Sequence, residues 1–269
     1  MAACTTAPFG DRARIINVPL ASVQSDIEFS ITSGSRADLP CAANSACLSV
    51  VEQARLRLFV LEVGQIASVL QKTALQRYPD LAWCSPRENG NCFDVYVVEG
   101  EETGSSSSAN GRIALTLGLG RWRVHDGVLA FAIAREMGHV IAGHHAERSS
   151  ISLVTSVVLN LLLPGSGVLK SLISTGGARL AAVSRHNAQA IEADAIAFGL
   201  LQGAGFRLPD IANSLRAMPV AIDQSSWSKD FARSSTTLVS EARTAESTVT
   251  AATNRKLIAR QEPVLTIAR

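Results

Sequence analysis

Residues 133–148 run IAREMGHVIAGHHAER, with a Glu-x-x-His pair at Glu136 and His139. The preceding VLAFAI is apolar and Asp126 offers an N-cap, so one helix is expected from Asp126 through Arg148. A catalytic zinc on such a helix needs two imidazoles one turn apart, because residues i and i+4 share a face, with a glutamate beside the first as general base. The chain supplies the glutamate and the second imidazole. Where the first imidazole belongs it has Arg135, whose guanidinium stays protonated and offers a metal no lone pair. Glu-x-x-His alone arises by chance in many helices, so its surroundings carry the weight.

Those surroundings match on both sides. Upstream is GRIALTLGL (111–119); downstream are AIEADAIAF (190–198) and GAGF (203–206). In this order and spacing, across about residues 50–220, the chain resembles the HtpX and CAAX-prenyl-protease type of gluzincin metallopeptidase. The patterns of that family are LAHEIGHVxxRH, GxIyxxxGL and ExEADxxGxxxxxxAGY. The resemblance implies an α+β, mostly helical, zincin-like metallopeptidase fold, a small β-sheet flanked by helices, with a substrate groove along the sheet edge. It also implies roles. Glu136 takes the place of the general base, His139 that of a zinc ligand, and Asp194 that of the carboxylate that orients the first ligand from behind.

Two ligand positions depart from the family. The first ligand falls on Arg135 and the third on Ala190. On a continuous helix His144 and His145 lie roughly 140° and 120° around from His139 at ~100° per residue, so neither is expected to share its face. Glu192, about 200° from Ala190 around its own helix, is expected to point away. The Thr-His-Pro segment of the family is replaced by SSTT (234–237). A lone His139 is no zinc site, so no cofactor is expected where the family holds zinc. Glu136 is then idle, since no metal-bound water is present for it to deprotonate. A carboxylate aimed at the first ligand position should accept a guanidinium, which predicts a partly buried Arg135 to Asp194 ion pair; the alternative is an Arg135 that reaches solvent. His125 and His186 lack ligand spacing and are given no role. The serines accompany no His and Asp arrangement that makes a nucleophile.

Outward from this helix, residues 48–78 lack proline. Val51, Ala54, Leu58 and Leu61, continued by Ile66, Val69 and Leu70, predict a long amphipathic helix ended by Pro79. FDVYVVEG (93–100) and RIALTLGL (112–119) predict strands, with Asn110-Gly111 as a tight turn. Ser105–Ser108 is either the polar strand before that turn or a serine loop. Further helices are expected over Asn187–Gly203 and Pro209–Met218, with a polar helical stretch from about Thr236 to Arg260. The apolar run 151–163 is 13 residues long, short of the ~20 of a membrane span, and predicts a buried or membrane-surface helix. Three regions follow: an arm over 1–47, irregular or partly strand-like, a metallopeptidase-like domain over 48–220, and a C-terminal helical tail over 221–269.

With 47% hydrophobic and 18% charged residues the 269-residue chain is globular, and a net charge of +2 with 5% aromatics gives nucleic acid no surface. Cys41 and Cys47, and Cys84 and Cys92, are spaced for two short disulfide loops in an oxidising compartment; reduced, unrelated thiols are the alternative. Met-Ala-Ala-Cys4 resembles the end of a bacterial lipobox and predicts a lipid anchor at Cys4; a chance match of small residues is the other reading.

The expected function is therefore that of a metallopeptidase-like protein of the bacterial cell envelope, periplasmic and held to the membrane through Cys4 or residues 151–163. Having lost zinc ligands, it would bind a protein or peptide partner in the groove. The alternative is an active zinc-dependent metalloendopeptidase acting on envelope proteins. A third class, a helical envelope protein without peptidase ancestry, requires the extended match to be chance.

Overall fold

The computed structural model describes residues 3–6, 13–16, 29, 49–79, 92–100, 102–121, 125–145, 147–148, 186–218 and 225–260. The elements are β1 (Ala3–Thr6), β2 (Ala13–Ile16), α1 (Val50–Arg77), β3 (Asp94–Val98), β4 (Ser105–Ser107), β5 (Arg112–Thr116), α2 (Leu117–Arg121), α3 (Asp126–Ile141), α4 (186–203), α5 (Leu208–Ala217) and α6 (Ser226–Arg260). The apolar run 151–163 and Cys41, Cys47 and Cys84 lie outside the described residues. The arm holds an antiparallel hairpin in which Cys4 pairs with Ile15.

A three-stranded sheet of order β3-β5-β4 forms the small β layer. β3 runs parallel to β5 with Val95 opposite Ile113; β4 runs antiparallel with Ser107 opposite Ile113, so the serine strand is the sheet edge. Gly111 makes the turn into β5 at φ +78°, which a side chain would resist. α1 packs on β3 and α3, α3 packs on β4 and α5, and α5 packs on α6. The fold is the expected α+β arrangement, mostly helical with a small flanked sheet. Phe231, Leu238 and Ala242 bring the first half of α6 into the core.

α1 starts at Ser49, whose side chain accepts from Glu52 N while the Glu52 carboxylate accepts from Ser49 N, a reciprocal cap. Its buried stripe is Leu56, Phe59, Val63, Ile66, Ala67 and Leu70, whereas Val51, Leu58, Leu61 and Val69, expected in the core, are exposed. Both stripes repeat at helical spacing, and the one continuous with β3 and α3 wins the core. By length and composition α1 is also the one described helix able to cross a membrane.

α3 is shorter than expected. It is capped by His125, not Asp126: the His125 ring accepts from Gly127 N at 3.2 Å. At the other end Gly143, at φ +71°, breaks the path after Ile141. α3 and α4 cross in close contact at Gly138, where a Cβ would collide with the carbonyl oxygen of Ala193.

Candidate functional site

Arg135, Glu136 and His139 project from one side of α3, each no more than 6% exposed. They line a cavity of about 360 Å³ together with Ser105 to Ser107 of β4, and with His145, Arg148, His186, Asp230 and Phe29. The cavity lies beside the serine edge strand, where the resemblance placed a groove.

Glu136 is held from the sheet. Ser105 Oγ donates to Oε1 at 2.8 Å and Ser107 Oγ donates to Oε2 at 2.6 Å. Ser105 in turn accepts from Trp227 Nε1 at 2.8 Å, and Trp227 stacks on Phe231 with ring centres 4.7 Å apart. His145 Nε2 lies 2.8 Å from Ser107 Oγ. The Ser107 proton is directed to the carboxylate, so the Nε2 proton of His145 completes the contact.

Arg135 is buried against α4 and α6. Its Nε lies 3.3 Å from Asp194 Oδ1 and donates to Ser234 Oγ at 3.0 Å. The N–H points at the serine, so the Asp194 contact is charge against charge at short range. Burial pushes the Asp194 carboxyl up, and the attraction of Arg135 opposes that rise. The expected pair is present. Ser234, from the SSTT stretch that stands in place of the family's Thr-His-Pro, completes it.

His139 differs from expectation. Because α3 ends before Gly143, the chain turns back and brings His144 Nδ1 to 2.9 Å from His139 Nδ1, with ring centres 5.0 Å apart. His144 Nε2 reaches Glu192 Oε2 at 3.2 Å. The expectation for His144 fails because α3 is not continuous past Ile141; Glu192, on the unbroken α4, touches His144 and does not line the cavity. Where His144 donates from Nε2 to the carboxylate and accepts at Nδ1, His139 donates from Nδ1 and holds its lone pair on Nε2. Burial, then Arg135, His144, His145 and Arg148, hold His139 well below the ordinary histidine range. Burial, then Arg148 and His144, lower His145 to about 3. Both rings are neutral at physiological pH.

Around this centre, Arg148 Nε donates to Gln189 Oε1 at 2.9 Å and Gln189 Nε2 donates to Glu147 Oε2 at 3.0 Å. His186 Nε2 lies 3.0 Å from Asp230 Oδ2. His186, given no role from the sequence, thus lines the cavity; His125 caps α3.

Residues 90–234, just over half of the chain, match the sequence profile of Peptidase family M48. The chain belongs to this family. Among curated proteins none matches it. M48 family membership implies zinc, and the residues can be tested for it by their chemistry. At the three positions where the resemblance puts ligands, Arg135 carries a guanidinium, Ala190 a methyl group, and only His139 a lone pair. Among the described residues no three His, Cys, Asp or Glu side chains are grouped to hold one metal ion. The residues present do not fit a catalytic zinc of the M48 kind.

A strand was one of two readings of the serine stretch, yet its grip on Glu136 was not legible, because Ser105 and Ser107 lie 31 and 29 residues before Glu136 in sequence. The signal that could have exposed the His139–His144 contact is Gly143, a helix-ending residue directly before the two histidines.

Proposed function

We propose that this M48 family chain is a pseudopeptidase of the bacterial cell envelope, on the periplasmic side, that has lost its zinc ligands and binds a protein or peptide partner in the cavity beside β4. The observation that carries the reading is the state of Glu136. A general base must be turned toward a metal-bound water, and both oxygens here are taken by Ser105 and Ser107. Arg135, tied to Asp194 and Ser234, fills the first ligand position with a positive charge that repels a cation. An edge strand next to a cavity suits an extended peptide, which can add to the sheet and lay alternate side chains into the pocket. The envelope location rests on the sequence, through the two cysteine pairs and the lipobox-like Cys4.

Elemental analysis of protein purified without chelators, run beside a casein cleavage assay, tests the reading. Substoichiometric zinc and no cleavage are expected. One zinc per chain, with cleavage abolished by Glu136→Gln, would overturn it.

One observation favours the alternative, an active zinc-dependent metalloendopeptidase. The relay from His139 through His144 to Glu192 presents the His139 Nε2 lone pair as a ligating histidine would be presented. The zinc measurement separates the two.

A further inference from the structure

The exposed stripe of α1 has no part in the site just described. Val50 is 82% exposed, Leu58 67%, Leu61 61% and Val51 60%, with Val69 and Ala54 also open. At ~100° per residue, positions 51, 54, 58, 61 and 69 fall within an arc of roughly 80° on the side opposite the core stripe. Arg55 and Arg57, both exposed, lie about 40° outside either edge of that arc. Of the acids of this stretch, Glu62 lies about 20° outside the arc, between it and Arg55, and both acids are engaged by neighbours. Glu52 is engaged by Ser49 in the helix cap, and Glu62 is turned to Asp126 and His125 at the start of α3.

A mainly apolar stripe, sharing its arc with exposed Gln65 and Lys72 and flanked by Arg57 on one side and Arg55 on the other, suits an anionic lipid surface. The leucines and valines reach the acyl boundary while the guanidinium groups stay level with the phosphates. α1 cannot cross the bilayer, because its other face supplies Leu56, Phe59, Val63, Ile66 and Leu70 to the core. A second copy of the chain suits the face less well. Pairing two copies would bring four arginines to one seam. We propose that the Val51, Leu58, Leu61 and Val69 face of α1 is a docking surface for an anionic membrane, with the helix lying in the plane of the interface.

The test is flotation of the full chain with vesicles of phosphatidylcholine alone or with one quarter phosphatidylglycerol, followed by light scattering without lipid. Two variants accompany the native chain, Leu58→Gln with Leu61→Gln, and Arg55→Gln with Arg57→Gln. All four positions are exposed, so both variants should keep the native thermal midpoint. The native chain should float with the anionic vesicles and remain a monomer without lipid. The leucine variant should lose at least tenfold in partitioning, and the arginine variant roughly ten- to thirtyfold, at about three- to fivefold per cation. Absence of native binding, equal binding to neutral vesicles, or binding unchanged in both variants would overturn the proposal. So would a native dimer that the leucine variant dissolves, which would assign the face to a second copy.

Discussion

Arg135 Nε lies 3.3 Å from Asp194 Oδ1 across the α3–α4 crossing, with both side chains at most 6% exposed. Removing one charge from such a pair leaves the other buried and uncompensated, which costs on the order of 3 kcal/mol; removing both avoids that penalty. Arg135→Met and Asp194→Leu should each lower unfolding free energy by about that amount, and the double variant should lose no more than the worse single. Urea titrations of the four proteins give the coupling, and additive losses would show that Arg135 is satisfied by Ser234 alone.

The donor set can be rebuilt. If the ligands are what the site lacks, Arg135→His with Ala190→Glu should restore zinc binding at least in part, measured by elemental analysis, because His139 and Asp194 already occupy supporting positions. Each substitution alone should bind less than the pair. Failure of the pair to bind any metal would mean that the grip of Ser105 and Ser107 on Glu136, or the His144 contact, has remodelled the site beyond its ligands.

Acid should weaken the fold through His145. Its folded value of about 3 lies below the ordinary 6.5, so between those values the unfolded chain takes up a proton that the folded chain refuses. The contribution of the ring is fully present above 6.5 and is lost as pH falls toward 3, at up to ~1.4 kcal/mol per pH unit. His139, lowered well below its ordinary value, acts in the same direction. Asp194 opposes them at the acidic end, because its raised carboxyl binds a proton more readily in the folded state. Urea midpoints between pH 7.5 and 5 should fall, and less steeply in His145→Gln. Identical slopes would show that the ring is solvated.

Gly138→Ala should be far more damaging than a methyl group on a helix would suggest. The added carbon meets the Ala193 carbonyl oxygen, a backbone atom that cannot rotate away, so the helices must separate at a cost of about 1–3 kcal/mol. The thermal midpoint measures it. An unchanged or raised midpoint would mean that α3 and α4 are not seated on one another.

Much of this was legible in the sequence, and what escaped did so for physical reasons. The strands within 93–100 and 112–119 show themselves by β-branched alternation and by Asn110-Gly111, though the second stops at Thr116 and 117–121 is helical, and the partnership of Arg135 and Asp194 follows from the resemblance. The orientation of α1 did not, because Val51, Leu58 and Leu61 are spaced as regularly as Leu56, Phe59 and Val63, and periodicity cannot say which stripe meets β3. The surroundings of His139 were hidden by one residue. Gly143 ends α3, and beyond that point a rotation of ~100° per residue no longer applies, so His144 arrives where a continuous helix would not bring it and meets Glu192 of α4. The serines that hold Glu136 come from an edge strand whose docking is a tertiary event with no local signature.

At Gly138 and Ala193 the α3–α4 crossing is backbone against backbone, a stiff jaw at that point. Any guest larger than the cavity must therefore move the opposite wall, where β4 and α6 are latched by the hydrogen bonds from Trp227 to Ser105 and from Ser105 to Glu136. For the proposed peptide, accommodation would be one-sided: one wall would set its register, and the other would yield to its bulk.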